Sequence, residues 1–331
     1  MLALFGVAEG RALAYVVTGE GTVLFDTAGG DPVQTAGTGI PLAILAEDDA
    51  GYTVFTACNR EAWVDRATTT RGTAIPGQGA VGSAVIVIDP GHGGPDTGAV
   101  GSGGLVEKEV NLDVASRLRD LLGGSRTVDL ETGAVVAGGE IPAVAAVVMT
   151  RNPGGAGGGD HRVGNRFRAE LGNRVEADAL VSIHHNAGAD LTLDSPGSEV
   201  YYSHDDPDSR RLAGLVAEEL LTGLARYDIA WSGGARVGAV ARVGPDGDDY
   251  YSLLAWSDGP AVIAEGLYLS NPPEEELAAT SEFRQSYAEA VYRALIRFLA
   301  TEEVGGPVHD PVPYDGGPAA TMGDCSLPGA G

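Results

Sequence analysis

The chain has 331 residues, which at about 150 residues per domain suggests two domains or one large domain with an appendage. Its 46 acidic and 21 basic residues give a net charge of −25, a field that repels phosphate backbones and argues against a nucleic-acid partner. No apolar run approaches the roughly 18–20 residues that a membrane-spanning helix needs, so we expect no integral membrane span.

The N-terminal stretch and the cysteines bear on the cellular compartment. The chain starts MLALFGVAEGRALAYVV, which lacks a basic start and a continuous apolar segment, so it forms no convincing signal peptide. Cys58 and Cys325 are the two cysteines of the chain. They could form one disulfide bond or both be free thiols, and the sequence leaves this open because neither lies in a CxxC motif.

Residues 1–72 have the pattern of a small all-β domain. Short β-prone runs alternate with clusters of Gly, Pro and Asp, without helical periodicity. The segments GTGIPLAIL and REAWVDRA resemble bacterial SH3-like modules, which implies a small β-barrel. A β-rich extension with no binding role is the alternative. The predicted strands are Ala12–Val17, Thr22–Phe25, Ile40–Ala46, Tyr52–Ala57 and Ala62–Val64.

A linker, a larger domain and a tail follow. Residues 73–83 are Gly-rich and lack periodicity, so we expect a linker. Residues 84–303 alternate apolar strands with amphipathic helices, which predicts an α/β domain whose mainly parallel sheet is flanked by helices. Residues 304–331 are rich in Gly and Pro and predict a disordered tail. The α/β domain has predicted strands at Ala84–Ile88, Val147–Met149, Ala179–Ile183, Glu199–Tyr202 and Ala261–Ala264, helices at 109–122, Arg162–Glu176, Ser209–Arg226 and Ser281–Leu299, a hairpin within 123–144 and a flexible loop over 153–160.

Polar residues follow three of the predicted strands directly. His92 follows the first strand of the α/β domain, His184 the third and Glu265 the last, while Glu107 opens the first helix. Ligands bind outside the carboxyl ends of parallel strands, so we expect these side chains at one edge of the sheet. Two histidines and one carboxylate are the usual protein ligands of a hydrolytic zinc site, and a second carboxylate can move protons there. Residue types alone leave open which glutamate binds the metal and which one moves protons.

Ordered motifs along residues 84–300 carry a family resemblance. They read IVIDPGHGGPDTGAVG, GLVEKEVNLDVASRL, VVMTRN, ADALVSIHHNAG, GSEVYY and PAVIAEGLYLSN. This series resembles the zinc-dependent N-acetylmuramoyl-L-alanine amidases of bacterial cell-wall metabolism, and it implies an amidase/zinc-exopeptidase-like fold. The resemblance implies that His92, Glu107 and His184 bind one Zn2+ per chain. It also implies that Glu265 is the catalytic residue.

Four further residues are candidates for the surroundings of this site. Asp89 is expected to fix the loop that carries His92. Asn173 and Asn186 fall at family positions, which implies that they support the site as outer groups behind the ligands. His185 stands where the family has a small residue, and we expect it to have a structural role or to touch the substrate groove.

The resemblance also implies a reaction. It is hydrolysis of the amide between the lactyl group of N-acetylmuramic acid and the L-alanine of a stem peptide. The partners are then peptidoglycan or muropeptides, and the location is extracytoplasmic. Residues 1–72 would hold the enzyme on the wall or block its site until released. The alternative is a non-catalytic relative that binds peptidoglycan or its precursors and regulates wall synthesis. The preferred stem peptide, the glycan length and the oligomeric state stay open.

Overall fold

A computed structural model describes most of the chain. Among the described residues, no helix has both the length and the apolar character needed to cross a membrane. The predicted flexible loop over 153–160 lies outside them except for its last residue. The described ranges are 10–129, 132–152, 160–189, 191–314 and 325–327.

The first folded unit is one antiparallel sheet of seven strands, which we number β1 to β7 along the chain. They are Arg11–Thr18, Val23–Phe25, Pro32–Thr35, Pro41–Glu47, Gly51–Phe55, Glu61–Asp65 and Thr69–Ala74. Their order in the sheet is β3-β2-β6-β5-β4-β1-β7. Side chains alternate between buried and exposed along β6, where Ala62 and Val64 point into an apolar core. The likeness of this unit to SH3-like modules stays a prediction.

The predicted linker over residues 73–83 is wrong at both of its ends. Thr73 and Ala74 belong to β7, because they pair with the first residues of β1. Gly79–Ser83 forms a short helix, α1, which buries Val81 against the core of the second unit. Both ends of the segment are therefore held by contacts with distant parts of the chain.

The second unit is built on a six-stranded mixed sheet with the order β11-β8-β12-β18-β14-β16. In this sheet β14 runs antiparallel to β18, and the other four neighbouring pairs are parallel. The prediction of a mainly parallel sheet did not include this reversed pair. The strands β8 to β19 are Val85–Pro90, Arg126–Val128, Val135–Ala137, Ala146–Met149, Ala179–Asn186, Leu191–Leu193, Glu199–Tyr202, Trp231–Gly233, Gly238–Val240, Arg242–Val243, Ala261–Tyr268 and Val312–Pro313.

Helices cover both faces of this sheet. The long helices α2, α4 and α7 pack on one face, where Val181 and Val262 point. On the other face, α3, α5 and the seven-stranded sheet close a second core that includes Val87 of β8, Phe167 of α3 and Val54 of β5. One continuous apolar core therefore joins the two units, and the proposed division into domains 1–72 and 84–303 cuts through it. The helices α2 to α7 are Glu107–Leu122, Asn165–Val175, Pro207–Leu224, Ser252–Ala255, Pro272–Ala278 and Ser281–Ala300.

The prediction of a disordered tail over residues 304–331 is wrong for its first part. The chain after α7 runs along the open edge of the sheet, where Val308 bridges to Ala239 and β19 pairs in parallel with β17. The N–H groups of Val312 and Tyr314 donate to carbonyl oxygens of this edge at 3.0 and 2.8 Å. These contacts hold the tail because an unpaired sheet edge offers hydrogen-bond partners. Residues 315–324 and 328–331 of the predicted tail lie outside the described residues.

The end of the chain returns to the first unit. Cys325 forms a disulfide bond with Cys58, with 5.5 Å between their Cα atoms, so the bonded alternative holds for the two cysteines. Next to it, Leu327 is buried in the core shared by the two units. Its N–H donates to Gln34 Oε1 at 3.3 Å. The C-terminal segment is therefore fastened to the N-terminal sheet.

Candidate metal centre and active site

The three predicted metal ligands converge at the carboxyl ends of β8 and β12. His92 follows β8, His184 lies in β12 and Glu107 begins α2. Oε1 of Glu107 lies 3.1 Å from His92 Nε2 and 3.0 Å from His184 Nδ1. Their ligand atoms all lie within 4.8 Å of one another. Gly91 is needed beside them, since a Cβ there would stand 2.2 Å from His184 Nε2.

The backbone of His92 is strained, and a buried arginine holds it. The φ angle of His92 is 63°, a left-handed conformation that costs energy for a residue other than glycine. Arg168 of α3 donates to the carbonyl oxygens of Pro90 at 3.1 Å and of His92 at 2.9 Å. Its guanidinium also pairs with Asp89, which is fully buried at the end of β8. Asp89 thus anchors the His92 loop through Arg168.

Asp89 is ionised inside the core because polar groups surround it. Ser182 Oγ donates to its Oδ2 at 2.5 Å, and the hydroxyl of Thr150 donates to its Oδ1. Burial by itself raises the pKa of Asp89, but the charge of Arg168 and the two hydroxyls outweigh burial and hold that pKa below its usual value. The carboxylate therefore serves as a fixed counter-ion rather than a proton carrier.

A second buried arginine and the single lysine of the chain hold the rest of this loop. Arg151 Nη2 donates to the carbonyl oxygens of Gly91 at 3.2 Å and of Lys108 at 2.9 Å. Burial and the nearby Arg168 charge lower the pKa of Arg151 to about 10. Lys108 Nζ donates to Gly94 O at 2.8 Å and lies 2.5 Å from Asp160 Oδ2. Arg151 and Lys108 therefore both hold the loop that carries His92.

Asp96 orients the first histidine. Its Oδ1 lies 2.9 Å from His92 Nδ1, which leaves Nε2 of the ring directed at Glu107. Burial lowers the pKa of His92, but hydrogen bonds to Asp96 and Glu107 outweigh burial and raise it to about 9. The hydrogen bond to His92 lowers the pKa of Asp96 to about 2. A metal that binds Nε2 displaces the proton held there.

Glu107 is held from behind by residues on α2 and β12. Its Oε1 accepts from Asn111 Nδ2 at 3.1 Å and from the N–H of His185 at 3.1 Å, and its Oε2 accepts from the N–H of Ala99 at 2.8 Å. Burial raises the pKa of Glu107, but hydrogen bonds to the two ligand histidines lower it overall. The carboxylate is therefore charged and fixed in direction, as a metal ligand must be.

His185 does not lie in a substrate groove. Successive side chains of a strand point to opposite faces, so His185 points away from His184 into the core beneath α7. Its ring lies 5.4 Å from that of Tyr287, and its Nδ1 lies 2.7 Å from Asn111 Oδ1. Burial lowers the pKa of His185 to about 3. The residue is a neutral support for Asn111, and the groove alternative is wrong.

Glu265 lies next to the ligand cluster. In the sheet it stands beside His184 of the parallel strand β12 and opposite Glu199 of the antiparallel strand β14. Within the described ranges, the buried Oε2 of Glu265 has no hydrogen-bond partner. Burial and then the negative charge of Glu107 raise the pKa of Glu265 well above its usual value. A carboxyl group with a raised pKa beside such a cluster is typical of an acid–base residue.

Of the two asparagines predicted to support the site, Asn173 lies elsewhere. Asn173 is at the far end of α3, where it donates to Trp256 O at 2.9 Å and accepts from the N–H of Asp258 at 2.9 Å. It holds the loop that precedes β18, so its predicted role at the site is wrong. Asn186 ends β12, and its Oδ1 accepts from the N–H of Ala187 at 2.9 Å. Its role as an outer group behind the ligands stays a prediction.

Sequence reasoning missed several groups that hold the ligands. Arg168 was detectable, because it occupies the apolar stripe of α3 together with Leu171 and Val175, and all three are buried. Arg151 lies two residues after β11 and within one of the motifs. Asn111 is one helical turn after Glu107, on the same side of α2. A polar residue on the buried stripe of a helix was the signal in two of these cases.

Comparisons with known proteins show which family the chain resembles. The sequence model of the family described as N-acetylmuramoyl-L-alanine amidase matches residues 86–133 and 140–297. The germination-specific N-acetylmuramoyl-L-alanine amidase of Bacillus subtilis (strain 168) is 30% identical over 231 residues, which cover 67% of this chain and 82% of the relative. The N-acetylmuramoyl-L-alanine amidase AmiC of Neisseria meningitidis serogroup B is 27% identical over 252 residues, with 69% and 56% covered.

A solved structure shows the same fold. It is an N-acetylmuramoyl-L-alanine amidase from Clostridium difficile 630, which is 24% identical and superposes with a TM-score of 0.51. The match covers 66% of this chain and 98% of that one. The family match spans more than half of the chain and includes every predicted ligand. The chain therefore belongs to the N-acetylmuramoyl-L-alanine amidase family of enzymes.

Proposed function

We propose that this chain is a zinc-dependent hydrolase that cleaves the amide between the lactyl group of N-acetylmuramic acid and L-alanine in peptidoglycan. One observation carries the proposal, namely that the side chains of His92, Glu107 and His184 converge at the sheet edge where Glu265 stands. All four groups are present and adjacent. This favours an active enzyme over a non-catalytic regulator that binds peptidoglycan or its precursors.

The donor set fits one Zn2+. Two imidazole nitrogens and one carboxylate oxygen point at a common volume, and Asp96 engages the other nitrogen of the His92 ring. His92, Glu107 and His184 would hold the ion. Bound zinc supplies a Lewis acid for the scissile carbonyl and lowers the pKa of a coordinated water to about 7.

Glu265 carries the proton in this proposal. As a general base it takes a proton from the attacking water, whose oxygen bonds to the lactyl carbonyl carbon. As a general acid it then returns that proton to the nitrogen of L-alanine while the C–N bond breaks. The products are a lactyl carboxylic acid and a peptide with a free amine. Among the described residues, the buried Oε2 of Glu265 has no hydrogen-bond partner, which supports this role because the oxygen is free to accept a hydrogen bond from the attacking water.

The proposed setting is outside the cytoplasm. Disulfide bonds persist in oxidising compartments, and the bond between Cys58 and Cys325 supports this location. Residues 84–303 are proposed as the catalytic domain, and residues 1–72 as an SH3-like module that holds the enzyme on the wall. Co-sedimentation of the full chain with purified sacculi tests the wall-binding part, and failure to pellet would contradict it.

The test of the reaction is mass spectrometry of a defined muramyl-pentapeptide after incubation with the zinc-loaded protein. We expect free pentapeptide and N-acetylmuramic acid. Glu265→Gln should bind zinc normally and slow the release by about 100- to 10,000-fold. Glu276→Gln, an exposed glutamate of α6, is the matched control and should keep full activity. Cleavage at another bond would show that the proposed scissile amide is wrong. An intact substrate with bound zinc would favour the non-catalytic alternative.

A further inference from the structure

We propose that the turn between β5 and β6, residues 56–60, positions the metal centre from outside the catalytic domain, with Asn59 as the positioning residue. The inference rests on the proposed zinc site. It means that the N-terminal unit is a working part of the catalytic machinery, in addition to any wall-binding role. The path runs from Asn59 through the first turn of α3 to His92.

The first turn of α3 receives its cap from the N-terminal unit. The N-cap residue of α3 is Gly164, which has no side chain for this purpose. Asn59 Oδ1 instead accepts from the N–H of Phe167 at 3.0 Å, and Ala57 O accepts from the N–H of Gly164 at 2.8 Å. Phe167 is the third helical residue, whose N–H an N-cap side chain ordinarily satisfies. The β5–β6 turn therefore replaces a local cap.

The contact is a close fit. A Cβ on Gly164 would stand 2.4 Å from both Oδ1 and Nδ2 of Asn59, so only glycine allows the carboxamide to reach the helix. Asn59 itself has a φ of 55°, a left-handed conformation that asparagine adopts more readily than most residues. The geometry of both residues is thus adapted to this one contact.

The capped turn also carries the arginine that holds the metal ligand. Arg168 directly follows Phe167, and its Nη2 donates to His92 O at 2.9 Å while Nη1 pairs with Asp89. Removing the Asn59 carboxamide takes away the acceptor of the Phe167 N–H, so the first turn of α3 can fray. Arg168 would move with that turn, and the strained backbone of His92 would lose its main support.

The β5–β6 turn is itself held in place. The N–H of Asn59 donates to Thr56 O at 2.8 Å, and the neighbouring Cys58 is bonded to Cys325. On the helix side, the guanidinium of Arg166 lies 5.3 Å from the centre of the Phe55 ring. These contacts fix the turn relative to α3, as a positioning element requires.

The test uses the full chain and measures Zn2+ affinity by competition with a chromophoric chelator, together with hydrolysis of the muramyl-pentapeptide. Asn59→Gly removes the carboxamide without straining the positive φ. We expect it to raise the dissociation constant for Zn2+ about tenfold, the size of effect seen for outer groups behind metal ligands. Asn59→Asp keeps an acceptor oxygen and should restore the affinity of the unchanged protein.

A control in the same unit separates positioning from general stability. Asp48 accepts from the N–H groups of Ala50 and Gly51, both at 2.8 Å, in the turn between β4 and β5. Asp48→Ala should lower the melting temperature without changing Zn2+ affinity. If Asn59→Gly behaves in the same way, the turn only stabilises the fold and the inference is wrong.

Two further outcomes, failure of a variant to fold and absence of Zn2+ binding, also have a defined meaning. Should Asn59→Gly fail to fold, Gly164→Ala replaces it, because the added methyl group displaces the Asn59 carboxamide from the start of α3. Unchanged Zn2+ affinity in a folded Gly164→Ala protein would overturn the inference. If the unchanged protein binds no Zn2+, the proposed metal site fails first, whereas equal binding by all variants refutes the positioning role alone.

Discussion

The two ends of the catalytic sheet share one backbone framework but differ in what their side chains do. At the carboxyl ends of β8, β12 and β18, buried ionisable groups crowd around the strained loop of His92. At the opposite end, loops are tied by isolated hydrogen bonds, such as those of Asn173 and the 2.7 Å bond from Val85 N to Asp178 Oδ2. The site end therefore concentrates buried charged groups, whereas a left-handed backbone at a residue other than glycine occurs at both ends, at His92 and at Glu176.

Two arginines of α3 show the same difference within one helix. Arg168 lies at the site end and pairs with Asp89, with side chains only 4% and 0% exposed. Arg174 lies one and a half turns further on and pairs with Glu170, with side chains 42% and 22% exposed. The buried Arg168–Asp89 pair thus contacts the loop that carries His92, whereas the Arg174–Glu170 pair lies on the surface of α3.

The largest expected effect is a difference in zinc content between variants of two histidines, one at each end of the sheet. His184→Ala removes a proposed zinc ligand at the site end, so zinc content should fall to background and hydrolysis should become undetectable. His204, which lies after β14 near the opposite end and pairs with Asp249 at 2.8 Å, is the matched control. His204→Ala should keep one zinc per chain by metal analysis. Loss of zinc from the His204 variant alone would contradict the assignment of the two ends.

The next effect separates the two arginines. Arg168→Met leaves the buried Asp89 carboxylate without its counter-ion, and we expect the free energy of unfolding to fall by about 3–5 kcal/mol. Arg174→Met breaks an exposed pair and should cost less than about 1 kcal/mol. Chemical denaturation of both variants measures the difference. Equal losses would mean that the buried pair has no special role.

The sequence predicted where the candidate site residues converge better than it predicted the contacts that hold them. His92, His184 and Glu265 were expected at one edge because each follows an apolar run predicted as a strand, and the carboxyl ends of parallel strands meet there. Asn173 was misplaced because a position within a motif does not say which end of a helix the residue occupies. Arg168 was missed because its partners, Asp89 and His92, are more than 70 residues away along the chain.

Long-range pairing also explains the errors in the fold. Thr73 and Ala74 look like linker residues locally, but they complete the sheet beside β1, some 60 residues earlier. The Gly- and Pro-rich segment after α7 has no periodicity of its own. Its described residues up to Tyr314 are held because they lie on the open edge beside β16 and β17. The secondary-structure propensity of these two segments does not indicate which sheet edge each one pairs with.

A pH series isolates the buried charge at the site end. The pKa of Asp89 is lowered in the folded chain, so its stabilising contribution is fully present above the unfolded pKa of about 3.9 and is lost as the pH falls through the folded value. The stability difference between the unchanged protein and Asp89→Asn should therefore shrink below about pH 4, by roughly 1.4 kcal/mol for each unit of lowering. Denaturation in the presence of a chelator removes the contribution of metal loss. A difference that stays constant from pH 6 to pH 3 would show that the pKa of Asp89 is not lowered in the folded chain.

The smallest expected effect tests the opposite end of the sheet. Asn173→Ala removes the two hydrogen bonds that hold residues 256–258, and their loss should lower the free energy of unfolding by about 1 kcal/mol. Zinc affinity and hydrolysis should not change, since α3 separates Asn173 from the metal loop. Asn111→Ala is the contrasting variant, because Asn111 donates a hydrogen bond to Glu107. Loss of that bond should weaken zinc binding about tenfold. If Asn173→Ala reduced zinc affinity as much as Asn111→Ala, the far end of α3 would be coupled to the metal centre and the separation of the two ends would fail.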